Sequence, residues 1–171
     1  MRNGLANFLA RGVVALGNSA SKLQSLQLRL LAGEVKDDVE HLEPYGFTAC
    51  PQPGAEALAG FIGGDRSHGV VIVVADRRFR LQGLKPGEVA LYTDEGDRVH
   101  FKRGRVIEFD TVTLNVKAAE VVHFDTPLIR TTGRIESEGD QVAAGISQVG
   151  HAHDGVMPGN GQSGGPVGGA G

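Results

Sequence analysis

Apolar and polar residues alternate along much of this chain, and a period of two predicts β-structure. Leu26, Leu28 and Leu30 alternate with glutamine and arginine, which is the pattern of a half-buried strand. Residues 69–75, with the sequence GVVIVVA, form a short β-branched run typical of a buried strand. Both segments fall within residues 23–94, which are therefore predicted to be β-rich.

Further strands and turns complete this zone. Residues 77–82 and 88–93 predict two more strands. Turns are predicted at KPG (85–87) and DEGD (94–97), because proline and glycine favour the dihedral angles of tight turns. About five short strands in so short a segment predict a small barrel of the OB-like or SH3-like type.

The N-terminal residues show a different spacing, which predicts a helix. Their apolar positions recur as on one face of an amphipathic helix: Leu5, Phe8, Leu9, Val13 and Leu16. Gly17 and Asn18 supply a stop signal, so the predicted helix ends near residue 18 and would serve in docking or packing. Arg11 interrupts the apolar run that a signal peptide requires, which predicts synthesis in the cytoplasm.

A long alternating zone follows, from Val99 to Ser147. Between residues 112 and 146 most of the apolar side chains fall at even positions: Val112, Leu114, Val116, Ala118, Val122, Phe124, Leu128, Val142, Ala144 and Ile146. No helix is predicted that could cover this stripe, and a monomer would leave both a face and an edge exposed. Three chains wound about one axis would bury the stripe and close the edges, so the pattern predicts a trimeric β-prism.

Two histidines, His151 and His153, end the alternating zone. Residues i and i+2 of an extended strand share a face, so one chain would offer two nitrogen ligands on one side. Three chains would offer six, which favours an octahedral ion such as iron or nickel over tetrahedral zinc. These positions are odd whereas the stripe is even, so a bend is required near residues 147–150. Two solvated histidines in a terminal tail are the simpler alternative.

Composition narrows the function classes. The net charge of −3 gives no basic footprint for nucleic acid, and the single cysteine excludes an internal disulfide framework. That residue, Cys50, is expected to be a small buried side chain rather than a nucleophile. Residues 155–171 are almost all glycine, proline and small polar residues, which predicts a flexible tail or an ordered cap.

Charged residues interrupt the stripe at four even positions: Arg134, Glu136, Glu138 and Asp140. A loop or a wider, solvated section of the shaft is the favoured interpretation. The alternative is that three symmetry-related carboxylates meet near the axis and hold a hard cation such as calcium.

Several segments resemble one phage protein family. GEVKDDVEH (33–41) with PYGF (44–47), PQPGAE (51–56) and GGDRSHG (63–69) are similar to the N-terminal domain of the Mu-type phage baseplate assembly protein V, the central spike of contractile tails. The terminal His-x-His agrees with this likeness, which covers nearly the whole chain.

The resemblance implies an N-terminal OB-fold domain, a trimeric β-helical shaft and a pointed tip. It also implies an iron ion bound at the tip by His151 and His153 of three chains, with calcium and chloride ions elsewhere on the axis. Its implied partners are the baseplate hub and other tail proteins, and its location is the tail tip of a virion made in a bacterial cytoplasm.

The expected protein is therefore an all-β, non-enzymatic homotrimer that pierces the host outer membrane when the tail contracts. We expect a hub-docking helix at 1–18, an OB-fold domain at 19–97, a trimeric shaft at 98–148 and a metal-binding apex at 149–171. One alternative is a monomeric or dimeric metal-binding β-barrel or metalloenzyme, in which the two histidines join His100 or His123 and a carboxylate. Another is an assembly adaptor without metal.

Overall fold

The computed structural model describes residues 8–155 and 159, and this part of the chain is almost entirely β-structure. Its only helical elements are two 3-10 turns, at Leu31–Gly33 and Ile62–Gly64. The strands are β1 (Leu9–Asn18), β2 (Ser25–Leu30), β3 (Val35–His41), β4 (Glu56–Phe61), β5 (Gly69–Ala75), β6 (Val89–Tyr92), β7 (Arg98–Lys102), β8 (Val106–Asp110), β9 (Val142–Ala143) and β10 (Ile146–Ser147). The chain divides into two compact units, one ending at Val116 and one beginning at Lys117. The predicted all-β fold class is confirmed.

The first five strands close into a barrel in the order β1-β2-β3-β5-β4. Strands β3 and β5 pair in parallel, and the other pairs are antiparallel. This order is that of a five-stranded Greek-key barrel of the OB type. The core is built from the following buried side chains: Val14, Leu26, Leu28, Leu30, Val39, Ala55, Ala57, Ala59, Phe61 and Val71. The alternation at Leu26, Leu28 and Leu30 therefore predicted the buried face of β2 correctly.

The predicted N-terminal helix is wrong for the residues that are described. Residues 9–18 form strand β1, which pairs with both β2 and β4 and so closes the barrel. The inward positions of this strand include Ala10, Gly12 and the fully buried Val14. Ala10 and Gly12 are small, so the inward positions of the strand do not stand out as apolar in the sequence. The larger outward residues Leu9, Val13 and Leu16 recur with a helix-like spacing instead. The segment before Phe8 lies outside the described residues.

Gly12 marks the closest approach of β1 to β2. A Cβ atom at this position would lie 2.6 Å from a methyl carbon of Leu30 and 2.8 Å from the carbonyl oxygen of Arg29. The methyl of Leu30 can move aside, but the contact with the Arg29 carbonyl can be relieved only by moving the backbone of β2, so a side chain at position 12 is disfavoured.

The segment GGDRSHG forms a loop that ties β4 and β5 to the start of β3. The guanidinium of Arg66 lies over the ring of Phe61, 4.4 Å from its centroid, and hydrogen-bonds to the carboxylate of Glu34. The carboxylate of Asp65 accepts hydrogen bonds from the amide and hydroxyl of Ser67 at 2.8 and 2.7 Å. These contacts give the segment a structural role at the closure of the barrel.

Two local predictions in the barrel zone are also wrong. Residues 77–82 form no strand, because the carboxylate of Asp76 binds the side chain of Arg78 and its carbonyl accepts the amide of Arg80, which makes a turn. Cys50 is exposed, in the long connection between β3 and β4. By contrast, the turns predicted at 85–87 and 94–97 are present at either end of β6.

Strands β6, β7 and β8 form a separate antiparallel sheet. The predicted domain boundary between residues 97 and 98 falls between β6 and β7. Strand β6, in the predicted OB-fold domain, therefore pairs with β7 of the predicted shaft. No helix among the described residues is long and apolar enough to cross a membrane.

The continuous strand predicted between residues 112 and 146 is not formed within one chain. Residues 111–141 lie outside any strand, and β9 and β10 form a short hairpin that reverses the chain at Ala144 and Gly145. Both turn residues have positive φ, 50° and 81°. The even-numbered apolar side chains are exposed, as in Leu114 and Phe124, because no described segment of their own chain covers them.

We predict that Gly12→Ala destabilises the barrel by about 1–3 kcal/mol, because the added methyl overpacks the β1–β2 contact. Thermal unfolding followed by circular dichroism would measure the loss. Gly133→Ala is the matched control, since nothing lies within 4 Å of its Cβ position. Equal melting temperatures for the two variants would contradict the close approach.

Candidate functional site

The His-x-His segment follows a compact turn that the sequence predicted only as a bend. After β10 the chain turns through residues 148–150, which confirms the bend expected near residues 147–150. The carboxylate Oδ1 of Asp140 accepts hydrogen bonds from the amides of Gln148 at 3.1 Å and Val149 at 3.2 Å. Asp140, which lies before the hairpin in the sequence, therefore stabilises the backbone of the turn at residues 148–149.

Ser147 forms the inner part of the same turn. Its hydroxyl oxygen accepts the amide of Gly150 at 2.7 Å, and its carbonyl oxygen lies 2.8 Å from Nδ1 of His151. The hydroxyl of Ser147, followed by the amide of Val149, holds the pKa of Asp140 below its usual value. These bonds close a small network around the residue that precedes the two histidines.

The rings of His151 and His153 lie together on the surface. Their centroids are 5.1 Å apart and their planes meet at 85°. Both side chains are exposed, and the described residues contain no set of three or more histidine, cysteine or acidic side chains placed to hold a metal. One chain thus presents a pair of imidazoles but not a complete metal shell.

The other histidines have separate surroundings. His41 is buried in the barrel, with Nδ1 3.5 Å from the side-chain oxygen of Gln24. Nε2 of His100 lies 3.2 Å from the carboxylate of Glu88. His123 is exposed.

The charged residues before the hairpin do not form one cluster within the chain. Arg134 and Glu136 make an exposed ion pair at 2.7 Å. Asp140 instead binds the amides of the turn, so its carboxylate has a role that the alternation did not indicate.

A second feature, the sheet β6–β8, has one wholly apolar face that the sequence reasoning missed. The register aligns Val89 with Phe101 and Ile107 in one row, and Leu91 with Val99 and Phe109 in the next. Directly opposed residues of an antiparallel pair point to the same side, so all six side chains share a face. Five of them are exposed, including Phe109 at 59% and Ile107 at 56%.

The opposite face of this sheet is charged and internally paired. Nη2 of Arg98 lies 2.6 Å from Asp110, and Nζ of Lys102 lies 2.7 Å from Glu108. The amides of Arg103 and Lys85, with His100, hold the pKa of Glu88 below its usual value. The sheet is therefore amphipathic, with its ionic side satisfied and its apolar side without cover from the described residues. The sequence does carry a sign of this apolar face, because all six of its residues stand at odd-numbered positions within three successive short strands.

Comparison with known proteins identifies the family. The family model described as Bacteriophage Mu Gp45, N-terminal, matches residues 11–78, and the GpV Apex motif matches residues 145–167. The Baseplate puncturing device gp45 of Escherichia phage Mu is 42% identical over 141 residues, which are 82% of this chain and 71% of that protein. The Mu-like prophage FluMu protein gp45 of Haemophilus influenzae is 36% identical over 166 residues, 90% of each chain.

The barrel and the apex thus each match a part known from phage tail proteins. The chain belongs to the bacteriophage Mu Gp45 family, and the predicted resemblance is confirmed. The first relative is named for a mechanical part of the baseplate, which confirms the prediction that this protein is not an enzyme.

We predict that the turn at the apex loosens in acid. The pKa of Asp140 is lowered, so its stabilising effect is present above the ordinary aspartate value of 3.8 and is lost as the pH falls through the lower folded-state pKa. The amide proton shifts of Gln148 and Val149, followed by NMR, should titrate with a midpoint below 3.8 and should lose this step in Asp140→Asn. A midpoint at or above 3.8 would contradict the network.

Proposed function

We propose that this protein is the homotrimeric central spike of a contractile phage-tail baseplate, and that it pierces the host outer membrane during contraction. Membership of the Mu Gp45 family and the apex motif support a baseplate spike. The observation that carries the trimer is the uncovered apolar face of sheet β6–β8, from Val89 to Phe109.

None of the described residues buries this face, so in the proposed trimer other chains would bury it. Each isoleucine, leucine or phenylalanine that becomes fully buried contributes about 1.5–3 kcal/mol. The six apolar side chains of this face are already partly buried in one chain, so the gain from their full burial is of the same order as the association cost of about 4–15 kcal/mol for each chain that joins. The exposed apolar stripe from Val112 to Ile146 adds more surface that the proposed trimer would bury along the rest of the shaft.

A trimer also supplies the hydrogen bonds that one chain lacks. Residues 111–141 form no strand within the chain, so their backbone groups are available to partners. Strands exchanged among three chains would leave no free edge, and a shaft without edges resists local unfolding under force. Stiffness is the property that a mechanical piercing device needs.

A single ion on the three-fold axis would cross-link the tip. His151 and His153 fit such a group, because their paired, exposed imidazoles are incomplete as a site in one chain but would make six nitrogen ligands in three. Six imidazoles favour an iron ion, one per trimer. When bound, the ion would hold together three chain ends that would otherwise fray.

Further axial ions receive less support. Among the described residues, no set of three or more histidine, cysteine or acidic side chains is placed to hold calcium, and the carboxylate of Asp140 is engaged with backbone amides. The alternative of a single-chain metal barrel is also disfavoured, because His100 already pairs with Glu88.

The remaining parts of the proposal concern assembly. Synthesis takes place in the bacterial host cytoplasm, and the protein is then incorporated at the tail baseplate of the virion. There the barrel would contact the baseplate hub and other tail proteins. No contact with nucleic acid is proposed, because the net charge is −3.

We predict that Ile107→Asp prevents trimer formation, because it would place three carboxylates in the proposed interface. Val106→Asp is the matched control: Val106 is equally exposed but points to the opposite face, across from Lys102. Light scattering on the purified full chain would give the mass. A stable trimer of Ile107→Asp would contradict the inward position of this face.

We predict that the double substitution His151→Ala and His153→Ala removes the metal but leaves a folded trimer, since the shaft buries far more surface than the tip. Native mass with elemental analysis would measure both properties, with about one iron per three wild-type chains expected. A double variant that is monomeric would contradict the claim that the shaft, rather than the metal at the tip, holds the trimer together. Wild-type trimers without metal would contradict the axial site.

A further inference from the structure

We propose that Asp140 and Ser147 are positioning residues that orient His151, so that it presents Nε2 rather than Nδ1 to the ion at the tip. This inference rests on the proposed metal site and specifies how the chain prepares its own ligand. It assigns a task to Ser147, which neither alternation nor motif spacing singles out, and to Asp140, which the charge pattern indicated only as a candidate calcium ligand.

The ring orientation follows from the contact between Nδ1 of His151 and the carbonyl oxygen of Ser147, 2.8 Å away. A carbonyl oxygen can only accept a hydrogen bond, so Nδ1 must carry the proton and donate it. In the neutral ring the lone pair is then on Nε2. The backbone of Ser147 thus selects the tautomer that binds metal through Nε2.

The carbonyl of Ser147 is held in place by the turn around it. Its own hydroxyl accepts the amide of Gly150, which brings the chain back toward residue 147. Asp140 accepts the amide of Val149 and shares the amide of Gln148 with the backbone carbonyl of Gln141, which lies 2.9 Å from that nitrogen. Five hydrogen bonds, accepted by two side chains and two backbone carbonyls, therefore hold residues 147–151.

This arrangement matters because the local sequence does not order itself. Gly150 precedes His151, and glycine loses more conformational freedom on ordering than any other residue. A ligand that is already oriented loses less entropy when the ion binds. Outer partners of metal-bound histidines typically change metal affinity by about 10–100-fold when they are removed.

Metal binding by the purified full-length protein tests the inference, with Ni²⁺ alone as the probe and a chelator in competition. Asp140 acts on His151 through the turn rather than directly, so we expect Asp140→Ala to weaken Ni²⁺ binding by up to about 10-fold, the lower end of the range for direct partners, while the trimer persists. Glu138→Ala is the matched control, because it removes the same charge from an exposed position two residues away. Asp140→Asn keeps an acceptor oxygen and should recover part of the affinity.

NMR of the metal-free protein with ¹⁵N-labelled histidine gives a second readout that a general loss of stability would not move. We expect the wild-type His151 ring to be protonated at Nδ1 and the ring of Asp140→Ala to populate both tautomers. A wild-type ring protonated at Nε2 would overturn the inference, as would equal Ni²⁺ affinity of Asp140→Ala and Glu138→Ala. Unchanged Ni²⁺ binding after both histidines are replaced would instead overturn the metal site itself.

Discussion

One constraint governs this protein: the sheet β6–β8 has an apolar face that its own described residues do not cover. The opposite face cannot be turned inward instead, because it carries the ion pairs of Arg98 and Lys102. Water contact with so many large apolar side chains is unfavourable, and none of the described residues removes it. The proposed trimer follows from this imbalance rather than from any single contact.

The barrel and the residues after Asp110 differ in how far one chain buries their apolar side chains and pairs their strand edges. The barrel closes its edges within one chain and buries its core, from Val14 to Val71, without help. Residues after Asp110 form few pairs with their own chain and expose most of their apolar side chains. This contrast fits the proposed spike, in which the later residues of three chains would pair with one another.

At the apex, the proposed metal site depends on backbone geometry more than on ligand identity. His151 and His153 are side by side in any extended chain, but the direction of the ring nitrogens depends on the turn that Asp140 and Ser147 stabilise. A carboxylate that the charge pattern suggested as a calcium ligand has a different task here. Its position eight residues before Gln148 in the sequence gives no sign of that task.

The sequence by itself determined the β-rich class, the buried face of β2, the strand β5, the turns around β6 and the bend before the histidines, because these depend on local alternation and on glycine and proline. Tertiary structure decided the rest. It made a strand of residues 9–18, since closing the barrel required a partner for both β2 and β4. It also gathered Val89, Val99 and Phe109 on one face, because strand register joins residues that are distant in the chain.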